Sequence, residues 1–484
     1  MATPTYHVAI VGAGVCGSAI ARCLSAYKLD VVLLEKCTDV GFGVSKANSG
    51  IIHAGFHHQS HSLKARLEIQ GNLMFEKLHH ELGFPFRRVG ILVVAFSQEQ
   101  MKTVAHLYAQ GLANGVEGLE ICGAQRIHTL EPKLNPDAVG GLHAPSGGII
   151  EPYRFVFALA ECARNNGVEI ITDFELTRAT PVRGGYRLIS RDGTEVSARY
   201  IVNAAGLYAD TVSRILGAER FRIHPRKGEE YLLDRNAACY PGHVLFPVPA
   251  KNSKGILVIP TVEGTTMIGP TAHNINDKKD VSTTSDNLET VFTSAVHMVP
   301  LVSRRDIITA FAGIRPVLDT SDFFIAISTK ARRVVQVAGI QSPGLTASPA
   351  IAELVKNLLK QAGLKLTEKR SFRARLEKVV TARSQTPETM ARLADNDPRY
   401  ANIVCRCETV SEAEIVEAIR KGHTTLDGIK FYTRAGMGRC QGGFCTYKIL
   451  KILARETGKH ISAFTKRGAG SYEVSGRLGE GQER

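Results

Sequence analysis

His7-Val8-Ala9-Ile10-Val11-Gly12-Ala13-Gly14-Val15-Cys16-Gly17 is the stretch on which the fold turns. Its first residues read as a short buried strand and run directly into the spacing G-x-G-x-x-G. Apolar residues then recur at helical spacing, at Cys16, Ala19, Ile20, Cys23 and Leu24, and a second strand over 31–34 ends on Glu35 and Lys36. Each part has a mechanical reason. Gly12 permits the tight turn, Gly14 lets backbone amides approach a pyrophosphate, and Gly17 lets helix and strand pack closely. The open helix start offers N–H donors and the positive end of the dipole to phosphates. Glu35 is suited to accept hydrogen bonds from a ribose diol, and its charge argues against a 2′-phosphate. A glycine-rich structural turn could share these letters. The strand before, the helix after and the acid closing the next strand select a dinucleotide site. The unit predicts an α/β, Rossmann-like domain and does not by itself separate FAD from NAD.

Working outward, 484 residues are too many for one core, so two or three domains are expected. Hydrophobic residues at 44% and charged residues at 22% are those of a soluble globular chain. No apolar run reaches the length of about 18 residues that a membrane span needs. Residues 1–5 lack a basic n-region, so no signal peptide is read and a cytoplasmic location is expected. The ten cysteines include two tight pairs, Cys405 with Cys407 and Cys440 with Cys445, which suits a reducing compartment with one metal site better than a disulfide framework. A net charge of +14 would serve nucleic acid, an anionic membrane surface, anionic substrates or an acidic partner protein. No nucleic-acid motif accompanies it, and peripheral membrane association stays open.

The loop 41–55 is small and polar, with Ser45, Asn48 and Ser49, and can lie along an extended cofactor. It ends at His53, which either reaches the reacting end or packs in the loop with its ring satisfied by backbone. His57-His58-x-x-His61 reads as a surface loop, because no acid or Cys accompanies it as a metal site would need. Helices are expected over 63–83, 98–113 and 153–166, and strands over 89–95, 168–172 and 186–190 with a hairpin turn at 191–194. The stretch Tyr200-Ile201-Val202-Asn203-Ala204-Ala205-Gly206 ends a strand at small residues, a second backbone approach to the same cofactor that points to FAD. Strand-like runs between 221 and 312 predict an antiparallel substrate domain, joined by the segment about 80–145, inserted into the nucleotide domain. Arg315, beside Gly313 and Pro316, can fork onto an anion or cap carbonyls, and Lys254 is a second cation. A late strand over 335–340 leads to Gly344, Leu345 and Thr346 at the start of a helix whose dipole would favour charge on a reduced flavin. Residues 363–400 read as a basic, partly helical linker, and 466–484 as a disordered tail.

Fingerprint, second glycine motif and late strand-to-helix turn, in that order over residues 1–362, resemble the D-amino-acid-oxidase-like flavoproteins. Asn48-Ser49-Gly50-Ile51-Ile52-His53-Ala54-Gly55 with Ser62-Leu63-Lys64-Ala65 resembles the branch holding L-2-hydroxyglutarate dehydrogenases and glycerol-3-phosphate oxidases. The resemblance implies noncovalent FAD with His53 over the flavin. Within 401–455, Cys405-Arg406-Cys407 and Arg434-Ala435-Gly436-Met437-Gly438-Arg439-Cys440-Gln441-Gly442-Gly443-Phe444-Cys445 resemble the small helical BFD-like domain, which implies a 2Fe-2S cluster on the four cysteines. Zinc would also fit four thiolates. A flavin domain fused to such a tail resembles the catalytic subunits of anaerobic glycerol-3-phosphate dehydrogenases, and opine and proline dehydrogenase subunits share the combination. The flavin loop differs from that of the larger anaerobic enzymes, which leaves the substrate open among glycerol 3-phosphate, a 2-hydroxyacid and an amino or imino acid. A redox carrier or sensor without catalysis is the non-enzymatic alternative. The implied chemistry is proton abstraction by His53 with hydride transfer to the flavin. Arg315 and Lys254 would hold a small anionic substrate, and a redox partner subunit would take the electrons.

Overall fold

Strand Tyr6–Val11 lies between Val31–Leu34 and Glu195–Asn203, parallel to both, in an eight-stranded sheet. The computed structural model that shows this describes residues 6–249 and 254–476. The chain divides into two units: one ends at Leu376, and the other begins at Glu377 and takes in Cys37–Asp39.

In the first unit the strand Glu195–Asn203 has two roles. Its early residues pair antiparallel with Gly185–Ser190, itself paired to Leu176–Val182, and form the expected meander. Its last residues, Ile201–Asn203, pair in parallel with Val334–Ala338. The same strand thus joins the meander to the nucleotide sheet and ends at Ala204-Ala205-Gly206.

The second sheet has nine strands drawn from both expected segments, within 91–144 and 224–317. It is antiparallel except at one join, where Val244–Pro247 runs parallel to Ile91–Ala95. Period-two alternation sorts its residues. Leu92, Val94 and Leu245 face a core with Val291, Ala295 and Met298 of helix Ser285–Met298. Ile91, Val93 and Phe246 face Ile51, Ala54 and Phe56 of the polar loop. Phe246 therefore comes to lie on the same side as His53.

Some expectations change. The single helix over 63–83 is two, Leu63–Asn72 and Phe75–Leu82. The carbonyl of Asn72, which a continuous helix would use internally, accepts from Arg88 Nη2 at 3.0 Å instead. The linker read from 363 starts as part of the first unit: Lys28 N–H donates to Thr367 O, Lys369 N–H to Ala26 O, and Leu376 N–H to Glu81 O. In the tail, Thr465 bridges Tyr472 and Lys466 N–H donates to Ser471 O, so 465–472 forms a turn in place of the expected disordered chain. Residues 477–484 lie outside the described ones.

The second unit opens with helix Pro387–Asn396; a short hairpin, Ile403–Cys405 with Val410–Ser411, then leads to helices Glu412–Arg420, Leu426–Thr433 and Thr446–Thr457. A capping box fixes the start of helix Glu412–Arg420, with Ser411 and Glu414 bonding each other's backbone.

Candidate active site

The three glycines of the fingerprint meet different surroundings. Gly12 has φ +103°, and a Cβ there would stand 2.5 Å from Ala204 O, so the two strand ends touch backbone to backbone. A Cβ on Gly17 would fall 1.8 Å from Gly12 O, which makes glycine the requirement for the helix to pack there. A Cβ on Gly14 would meet only Ser45 Oγ, at 3.2 Å. This face is open, and helix Val15–Ser25 has no side-chain cap from Gly14. Val15 N–H donates to Ser45 Oγ at 2.9 Å, and Glu35 Oε2 accepts from Ala13 N–H at 2.7 Å. Lys36 Nζ lies 3.4 Å from the Tyr208 ring centroid, just past Ala205 and Gly206. A helix start with only Val15 N–H taken, an open glycine and a buried acid fit the diphosphate and ribose of a dinucleotide. Asn48 and Ser49 turn their side chains to protein. Asn48 Nδ2 donates to Val44 O and Ser45 O and its Oδ1 accepts from Gly50 N–H, while Ser49 Oγ donates to the Glu230 carboxylate. Both shape the loop with those groups.

His53 is held from several sides. Its N–H donates to Thr346 Oγ1 at 3.0 Å, and Asn72 Nδ2 donates to its carbonyl at 2.7 Å. Thr346, fully buried, also donates to Ile51 O at 3.3 Å. It lies two residues into helix Gly344–Gln361, with Gly344 and Leu345 forming the first positions. A Cβ on Gly71 would lie 2.0 Å from Thr346 O, so the helix Leu63–Asn72 presses on the same turn. The His53 ring is 8% exposed; Nε2 lies 3.1 Å from Ser342 Oγ, and Nδ1 has no partner among the described residues. Burial, then the charges of Lys254 and His58, push its pKa well below the ordinary histidine value, so the ring is neutral.

The surface-loop expectation holds for the exposed residues 59–61, whereas His57 and His58 are partly buried. Gln110 Nε2 donates to Phe56 O at 2.7 Å, and Asn114 Nδ2 donates to Gly55 O and His58 O, each at 2.8 Å. The His57 ring lies 4.2 Å from that of Phe56 and 5.3 Å from that of Phe246, measured between centroids. Burial keeps both rings neutral, with the His58 pKa pushed down to about 2.

Lys254 supplies the field that acts on all three histidines. Burial lowers its pKa to about 8, opposed by Glu68 and assisted by Lys64 and Arg315. Glu68, whose Oε1 accepts from Gly55 N–H at 3.0 Å, is pushed up by its own burial. Arg315 stands on strand Ile307–Val317 opposite Arg226. Its Nη1 donates to Thr271 O at 3.2 Å, so the carbonyl-capping reading holds for one nitrogen. A Cβ on Gly228 would come within 2.6 Å of its Nη2, so this guanidinium needs glycine beneath it. Glu230 faces Arg315 and is raised to about 7 by burial, against the pull of that arginine. His53 Nδ1, His57 Nε2, His58 Nε2, Lys254 Nζ and Glu68 Oε2 are all buried without a partner among the described residues. Groups of this kind cost about 1–3 kcal/mol each when left unmatched, and so many around one lysine mark the place of a polar ligand. Glu68, His57 and His58 were not singled out from sequence as site residues; their roles depend on burial, which local spacing does not display.

In the second unit Cys405 ends a strand, Cys407 follows in the turn, and Cys440 and Cys445 flank the loop before helix Thr446–Thr457. All four are free thiols, with Cys407 Sγ 3.6 Å from Cys440 Sγ. Cys405 is pulled below the ordinary thiol value by its hydrogen bond with Cys445 and by backbone donors at Gly436 and Glu408. Backbone groups of Phe444 and Gly442 do the same for Cys440. A Cβ on Gly438 would lie 2.4 Å from Cys407 Cβ, and the Arg434–Glu408 ion pair, 2.9 Å, ties the two ligand loops. Four sulfurs with N–H groups aimed at them fit thiolate ligation of an iron–sulfur cluster.

Residues 7–358 match the family described as FAD dependent oxidoreductase. The chain belongs to that family. Residues 403–455 of this FAD-dependent oxidoreductase match the BFD-like 2Fe-2S binding domain, and the zinc reading falls away. FAD and a 2Fe-2S cluster are its cofactors. The oxidoreductase is 42% identical to a glycerol 3-phosphate dehydrogenase of Caloramator mitchellensis, over 97% of this chain and 98% of the relative. It is 33% identical to a glycerol 3-phosphate oxidase of Mycoplasma pneumoniae, over 75% of this chain and 96% of that one. Among solved structures, the dithionite-reduced, FAD-bound L-alpha-glycerophosphate oxidase from Mycoplasma pneumoniae is similar at TM-score 0.75 and 32% identity, covering 78% of this chain and 100% of that one. No helix among the described residues is long and apolar enough to cross a membrane.

Proposed function

We propose that this oxidoreductase converts sn-glycerol 3-phosphate to dihydroxyacetone phosphate and delivers the electrons to a partner acceptor. The observation that carries the reading is a neutral, buried His53 next to the unmatched cation Lys254, whose field is shared with Arg315. The 42% identity to a glycerol 3-phosphate dehydrogenase over nearly the whole chain supports it. Lys254 and Arg315 bind the phosphate dianion. His53 accepts the proton of the secondary hydroxyl. Bound FAD supplies the two-electron acceptor for the hydride, and the cluster supplies a one-electron outlet. Phe246 and Phe56 keep water from the neighbourhood of the imidazoles. Because Lys254 is among the charges that hold down the His53 pKa, docking of the anion on Lys254 offsets that field and raises the basicity of His53 when substrate is present.

Anaerobic flavin bleaching is the test. Excess glycerol 3-phosphate is expected to bleach the flavin with no added acceptor, and L-2-hydroxyglutarate and L-proline are not. Two cations suit a dicarboxylate as well as a phosphate, so bleaching by the hydroxyacid alone transfers the same machinery to that substrate.

The lysine gives a pH dependence with a definite sign. Lys254 binds the anion only while charged, and burial sets its loss of charge near pH 8. KM for glycerol 3-phosphate should rise above that pH, by about tenfold per unit once the lysine is neutral, with kcat changing little. Lys254→Arg, whose guanidinium stays charged, should flatten this limb. A KM that is flat to pH 10 in the parent enzyme would contradict the assignment.

A further inference from the structure

The second unit presents an aromatic ring between two of its cluster ligands. Phe444, one residue before Cys445, is 83% exposed, and Tyr447, at the start of the following helix, is 59% exposed. Helix Thr446–Thr457 buries Ile449, Leu450, Ile452 and Leu453 and turns Tyr447, Lys448 and Lys451 outward. Lys451 Nζ lies 4.7 Å from the Tyr447 ring centroid. Arg406, between Cys405 and Cys407, and Arg439, before Cys440, are also exposed, as is Cys407 itself. The nearby acids are committed: Glu408 pairs with Arg434, and Glu412 and Glu456 pair with Arg455. The rim around the exposed rings is therefore positive.

We propose that Phe444 and Tyr447, rimmed by Lys448, Lys451 and Arg406, form the docking surface for an acidic one-electron carrier protein. The proposal rests on the reading that electrons leave through the cluster, not on the identity of the alcohol. Oxidation of one alcohol to a ketone releases two electrons and two protons. A carrier that takes one electron must dock twice per turnover, two carrier molecules being reduced and the protons going to solvent. Fast arrival and fast departure are then required. A small apolar centre within a charged rim provides both, because electron-transfer encounters sit at the small end of interface sizes and are steered by opposite charge. Two aromatic rings left in water beside a redox centre have no use in the fold, since the helix already buries its apolar face elsewhere.

The test uses the full-length holoenzyme and a small acidic ferredoxin as probe. Titration calorimetry at low salt is expected to show binding that weakens at least tenfold at 0.5 M salt. The double variant Lys448→Glu/Lys451→Glu should weaken binding at least tenfold, and ferredoxin reduction with it, while substrate-driven ferricyanide reduction stays at the parent rate. Phe444→Ala, which keeps the backbone N–H, should weaken binding with the visible cluster spectrum unchanged. No binding at low salt, or equal binding by the charge-reversed variant, would overturn the proposal. So would a variant that loses only its binding to phosphatidylglycerol vesicles, which would make the patch a membrane surface. Failure of glycerol 3-phosphate to drive even ferricyanide reduction would sink the substrate reading alone, with calorimetry still deciding the surface.

Discussion

His53→Ala is expected to slow anaerobic flavin reduction by glycerol 3-phosphate about 10²–10⁴-fold, the usual worth of a positioned general base, with the absorbance of bound FAD intact. The size follows from the lack of a substitute. His57 and His58 are nearby but are themselves buried and neutral, with pKa values depressed by burial and by Lys254. Glu68 holds the Gly55 N–H through Oε1, and the rest of its carboxyl lies in the field of Lys254. Substrate affinity should change much less than the rate, because the proposed anion site is Lys254 with Arg315, not His53. The variant should also retain its fold: Thr346 and Asn72 bond the backbone of residue 53, which alanine keeps. An unchanged reduction rate would remove His53 from the chemistry.

Cys405→Ser is expected to abolish the visible absorption of the 2Fe-2S cluster while leaving single-turnover flavin reduction at the parent rate. Cys405 is 1% exposed, and backbone groups of Gly436 and Glu408 and the thiol of Cys445 hydrogen-bond its sulfur. A serine hydroxyl is a much poorer ligand for iron at neutral pH. Steady-state reduction of a one-electron protein acceptor should then fall to near background. Loss of flavin reduction together with the cluster would instead mean that the second unit supports the first structurally.

The parts legible in the sequence are those whose reasons are local. Gly12 and Gly17 are dictated by contacts a few residues away or at the end of a neighbouring strand, and the surrounding pattern announces both. The four cysteines are marked by their own spacing and by the glycines that bring N–H groups to them. The less legible parts depend on distant partners. Arg88 ends a helix by taking the Asn72 carbonyl. Gln110 and Asn114, more than fifty residues from the loop they hold, bond its backbone and leave His57 and His58 partly buried. The parallel join of Val244–Pro247 to Ile91–Ala95 pairs segments that no turn connects. Glu68 and Glu230 look like ordinary surface acids until burial is known.

Thr346 reaches back across 293 residues to hold His53 and the strand before it. A ribosome working from the N-terminus exposes the fingerprint early, since strand, turn and helix are complete by residue 36. The imidazole comes later: Asn72 holds the carbonyl of residue 53, but Ser342, whose hydroxyl lies beside the ring, and Thr346 are far downstream. It waits for the strand Val334–Ala338 and the helix start behind it to emerge. A nascent or truncated chain ending before residue 342 can thus begin to shape a nucleotide cradle while His53 still lacks both its Ser342 and its Thr346 partners.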